Sequence, residues 1–112
     1  MSVEELINRI KGRLGMYIGE PNFDYLYYYI SGFLYNNSAT NRVSDIEKSF
    51  SYEFHEWVQK WIRENKGVHI EEEIDYHSYI KIICKNDEEC INLFFELCNI
   101  FFKEFHNKKL NN

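Results

Sequence analysis

Apolar residues recur along the chain in blocks at helical spacing, separated by polar or glycine-marked breaks. Val3, Leu6, Ile7 and Ile10 form one stripe and predict a first helix over 2–13. Ser2 with Glu5 three positions on makes a capping box, and Gly12 and Gly15 mark the end. Residues 14–22 predict a loop, because Gly15, Gly19 and Pro21 punctuate them. Its Met16, Tyr17 and Ile18 are apolar enough to lie flat on a core. A second helix is predicted over 22–36, with Asn22 as cap and Asp24 in the first turn, where the helix dipole favours an anion.

The Ser/Thr/Asn-rich stretch 37–49 predicts a loop. Phe54, Trp57, Val58, Trp61 and Ile62 then give a clean helical stripe over 51–65, closed by Gly67. Residues 68–76 form an acidic connector. Over 77–85 two periods compete. Ile80, Ile82 and Cys84 alternate as in a short strand around 78–84, whereas Tyr79, Ile82 and Ile83 match a helix. No second strong strand exists to pair with it, so a short helix is expected. The last helix starts at Asn86 or Asp87, carries Asp87, Glu88 and Glu89 in its first turn and runs to about His106. Its polar positions Asn92, Glu96, Asn99, Lys103 and His106 form one narrow stripe. A helix otherwise so apolar belongs at the centre of a bundle or against a second protein. The expected fold is mostly α: one domain over 1–112, a bundle of four to five helices, with a frayed tail at 107–112.

Composition sharpens this picture. Aromatic residues make up 18% of the 112 residues, enough for a dense core in a small chain. The tyrosine run Tyr25, Tyr27, Tyr28, Tyr29 and Tyr35, with Phe33, is expected to pack in the core with its hydroxyls at the surface. A protein interface is the other reading. No Lys or Arg lies between Arg13 and Arg42, so a base-stacking platform lacks its basic groove. The net charge of −5 argues against binding through phosphate neutralisation. No signal-peptide pattern opens the sequence and no apolar run approaches a membrane span of about 20 residues. The three cysteines, Cys84, Cys90 and Cys98, are odd in number and crowd the last third, so they read as reduced thiols. A cytoplasmic protein is expected.

Catalytic motifs fail one by one. His55-Glu56 lacks the second histidine of a zinc-binding helix, since Gln59 stands in its place, and reads as a surface pair. The cysteine spacings match no zinc pattern, and buried packing suits Cys90 and Cys98 better. A metal site from Glu71, Glu73, Asp75 and His77 is weaker than the reading of a solvated charge run. No phosphate loop or nucleophile elbow is present. No catalytic residue, cofactor or metal is expected.

Residues Arg13 to Gly19 read RLGMYIG. This is similar to the RPGMYIG that opens the ATPase domain of type II topoisomerase B subunits. Aligning the following helix puts Gly32 where that family has its catalytic Glu and Tyr35 where it has Asp, with only Asn36 matching. An ATP site is therefore rejected. The chain better resembles a group of small bacterial RPGMYIG proteins that look like immunity or antitoxin partners of polymorphic toxins. The likeness is strongest over 3–35 and continues at Phe54-His55-Glu56-Trp57-Val58 and Leu93-Phe94-Phe95-Glu96-Leu97. Leu14 departs from the usual Pro.

The resemblance implies a non-catalytic protein that binds a cognate toxin and covers its active site. An acidic surface would complement a basic, phosphate-binding toxin domain and speed encounter. The candidate partner-binding residues are then the two densest acidic groups: Glu71, Glu72, Glu73 and Asp75, followed by Asp87, Glu88 and Glu89. The alternative is a small structural or regulatory domain that self-associates, as a homodimer, through the apolar last helix.

Overall fold

Side-chain caps set most of the helix starts. The computed structural model describes residues 1–111, which form six helices and, among the described residues, no strand. Helix α1 spans Val3–Gly12, α2 Leu14–Ile18, α3 Phe23–Ala39, α4 Asp45–Lys66, α5 Tyr76–Ile83 and α6 Asp87–Leu110. Ser2, Asn22, Ser44, Asp75 and Asn86 each accept a bond from the backbone N–H three residues on, which satisfies one of the open donors of the first turn. Gly67 ends α4 in the left-handed region (φ 67°), where a side chain would be strained.

The architecture is the mostly-α bundle expected, with one helix more. The additional element is the five-residue α2, in place of the loop predicted at 14–22. Met16 does not lie on the core but is 76% exposed; Tyr17 and Ile18 are half-buried against it. Residues 78–83 are helical and Cys84 is the extended cap that ends the helix, which removes the strand alternative. Tyr76, Tyr79, Ile80 and Ile83 face inward at helical spacing, Ile82 points to solvent, and the Asp75 cap starts the turn. The preference of β-branched residues for strands yields here to packing.

Helix α4 starts six residues earlier than its aromatic stripe suggests, because Ile46 and Phe50 extend the buried face of Phe54, Val58 and Ile62. Trp57 and Trp61 flank that face and are half-buried. Helix α6 sits at the centre and packs against α1, α3, α4 and α5. It buries Cys90, Ile91, Phe94, Phe95, Leu97, Cys98, Phe101 and Phe102, and exposes the polar stripe from Asn92 to His106. It also continues through Leu110, beyond the predicted end near His106. Lys109 holds this last turn by pairing with Asp45 at 2.7 Å and covering the Phe105 ring. Asn112, in the tail expected to fray, lies outside the described residues.

Candidate functional site

The connector between α4 and α5 is extended but pinned. Ile70 is buried, and Gln59 on α4 donates to its carbonyl at 2.6 Å. The Tyr79 hydroxyl donates to the Glu72 carbonyl (3.1 Å) and accepts from the Ile74 N–H (2.9 Å). Between these anchors Glu71, Glu72 and Glu73 are exposed, and among the described residues none of their carboxylates takes a hydrogen bond or ion pair. Three side chains of one sign thus stand on a fixed backbone. A cleft of about 500 Å³ runs beside them, lined by His55, Gln59, Arg63, Glu73, Asp75 and Tyr79 among others.

The remaining acidic candidates are partly committed to the fold. Asp75 caps α5 through the Ser78 N–H (3.0 Å) and takes the Tyr27 hydroxyl at 2.5 Å. Asp87 accepts from the Phe23 N–H at 2.9 Å, tying the start of α6 to the start of α3. Glu89 accepts from the Lys85 N–H at 2.9 Å. Glu88 alone in the second group is exposed with no such bond among the described residues. The two acidic groups therefore split into a set without such bonds at 71–73 with Glu88 and a hydrogen-bonded set at 75, 87 and 89.

A network that the sequence motifs do not reveal joins α3 to α5. The His77 ring lies between Tyr27 (centroids 4.3 Å) and Phe23 (5.1 Å), and its side chain is only 14% exposed. Its Nε2 is 2.6 Å from Asp24 Oδ1, which Lys81 Nζ also reaches at 3.1 Å. The Lys81 bond, and then His77, hold the Asp24 carboxyl below the usual carboxylate range. An ionised carboxylate only accepts, so His77 Nε2 carries the proton in this bond. Burial, and then the Asp75 carboxylate, push the Tyr27 hydroxyl up to about 12, so it remains a donor. These groups are spent on one another, and their combined effect is to lock α5 against α3. The spacing of His77 and Lys81, one helical turn apart, was the available signal; their shared partner Asp24, 53 and 57 residues away, was not.

His55 is not the surface residue its motif suggests. It is half-buried, its ring stacks on Tyr76, and Nδ1 accepts the Tyr76 N–H at 3.0 Å. Burial lowers its pKa below the usual 6.5, against the opposing pull of Asp75. The sign follows. Stabilisation by neutral His55 is complete above about pH 6.5, the unfolded value, and is lost as pH falls towards the lower folded value. The melting temperature should thus drop between pH 7.5 and 5.5, and should drop less in His55→Gln. Parallel pH profiles for the two proteins would remove this role.

Burial raises the pKa of all three thiols, Cys90 to about 12, and Cys98 is fully enclosed. Among the described residues no group of three or more His, Cys, Asp or Glu side chains is arranged to hold a metal ion. No described helix is long and apolar enough to cross a membrane. A second groove of about 640 Å³ runs between α4 and α6, with Trp57 Nε1 donating to Glu104 at 2.7 Å on its wall and lysines facing acids. No protein-family model matches the chain, and neither a curated protein sequence nor a solved structure matches it.

Proposed function

We propose that this protein is a non-catalytic binding module that neutralises a basic toxin domain by covering its active cleft. The observation that carries the reading is the pinned acidic loop at Glu71, Glu72 and Glu73. A loop already ordered by Ile70 and Tyr79 loses little conformational freedom on binding, so its charges act at reduced entropic cost. Like-signed carboxylates on such an edge attract a phosphate-binding surface and steer encounter. The RLGMYIG segment and the two aromatic helix motifs, which resemble those of immunity proteins, point the same way.

Co-expression with a toxin encoded beside the gene tests it. Wild-type protein restores growth and binds the toxin in a salt-sensitive manner. The triple variant Glu71→Gln, Glu72→Gln, Glu73→Gln keeps its stability within about 0.5 kcal/mol per site, as exposed substitutions do, yet loses at least about tenfold in affinity as the steering charge goes. Failure to protect against any neighbouring toxin overturns the proposal, and unchanged affinity of the triple variant removes the loop from it.

A further inference from the structure

The tyrosine run does not fill the core. Tyr25, Tyr28, Tyr29 and Tyr35 are exposed, most of all Tyr28 (66%) and Tyr35 (78%). At 100° per residue these four lie within one third of the α3 circumference, opposite the buried Phe23, Leu26, Ile30 and Asn37. Gly32 occupies the middle of that exposed arc. A methyl group added there would meet nothing within 4 Å, so the folded chain itself gives no steric reason for glycine at this helix-interior position. Glycine weakens a helix interior but lets another backbone approach closely. In addition, no residue from Tyr25 to Asn41 is charged, although 28% of the whole chain is.

We propose that this face is a homodimer interface, in which α3 of one copy crosses α3 of a second near Gly32. An isologous contact pairs the same patch with itself. Two copies of a chain with net charge −5 repel across most surfaces, and this uncharged face is where they can meet. Tyrosine suits such a contact, with its ring buried and its hydroxyl at the wet rim. The four rings offer roughly 450 Å² per copy, on the scale of 150–250 Å² for a whole aromatic side chain. With the intervening residues the pair buries about 1,000 Å², the lower bound for a specific interface. The dimer is accordingly reversible at micromolar concentration. It replaces self-association through α6, whose apolar side chains are covered by the chain's own helices. It is independent of the acidic loop, so the toxin-binding proposal and this one can fail separately.

Sedimentation velocity on the whole chain, from about 1 to 200 μM, tests it with two variants. Wild type shifts from monomer to dimer across that range. Gly32→Ala raises the monomer's melting temperature by about 4 °C, the usual consequence of a better helix former in a small domain. The same variant weakens the dimer at least about tenfold, because the added methyl separates the crossing backbones. Tyr35→Glu, at a position without aromatic contacts in the fold, abolishes the dimer by placing like charges across the axis. A wild type that stays monomeric at 200 μM overturns the proposal. So does a dimer that both variants leave intact, and so does one broken only by substitutions on another face.

Discussion

Phe54→Ala should remove about 3–5 kcal/mol of folding free energy, the usual cost of truncating a fully buried phenylalanine. That is a large share of the roughly 5–15 kcal/mol that holds a domain together. Phe54 is 0% exposed and stands where three helices meet. Its ring stacks on Phe50 of α4 (4.6 Å), meets Tyr76 of α5 edge-on (5.1 Å) and packs edge-on against Phe101 (5.1 Å) and Phe94 (6.3 Å) of α6. Each such pair adds to the area buried, by about 0.5–1.5 kcal/mol. None of these rings has an easy way to collapse into the space left, since each is fixed by further neighbours. Tyr52→Ala, two residues away on the exposed face of the same helix, should change stability by less than about 0.5 kcal/mol. Denaturant unfolding followed by circular dichroism compares the two; equal losses would remove Phe54 from the centre of the core.

The second large effect concerns a pair of buried polar residues. Asn37 near the end of α3 donates to both carboxyl oxygens of Glu47 on α4, at 3.1 and 3.2 Å. Glu47 is 2% exposed. Asn37→Leu leaves that carboxyl group enclosed without its donor, which costs about 3 kcal/mol. Glu47→Gln keeps an accepting oxygen and should cost only about 1 kcal/mol. Replacing both with Leu restores much of the loss, because no polar group then remains buried unpaired. A double-mutant cycle reads the coupling directly. Additive losses in the cycle would mean that the two side chains stabilise the fold independently.

This pair shows where sequence reading stops. Stretches whose apolar period is strong were legible: the α1 stripe, the α4 stripe from Phe54 to Ile62, and the polar stripe of α6. The caps Ser2 and Asn22 were legible too, and of the two candidates for α6, Asn86 and Asp87, the cap is Asn86. The start of α4 was hidden in a polar stretch that predicts a loop. Yet Ser44 with Glu47 three positions on is a capping signature, and Ile46 and Phe50 follow at one-turn spacing. Asn37 and Glu47 are polar because they satisfy each other, which composition cannot distinguish from solvation. The tyrosine run misled for the opposite reason: aromatic residues suggest burial, but α3 needs only one face for its core. Among the site candidates, the free charges at 71–73 and the structural ones at 75, 87 and 89 are all carboxylates. Only the folded chain reveals that Asp87 reaches Phe23 and Asp75 reaches Tyr27.

The central position of α6 has a consequence for the order of events during synthesis. Its eight buried residues are the surface against which α1, α3, α4 and α5 close. Until α6 leaves the ribosome, Phe23, Phe54 and Tyr76 lack the Phe94 ring that each contacts in the finished fold. At roughly 5–20 residues per second, the wait for those 24 residues lasts on the order of seconds. During it the pairs that pack without α6, α4 with α5 and α1 with α3, are the contacts available to the nascent chain, and the face they present to α6 is still uncovered.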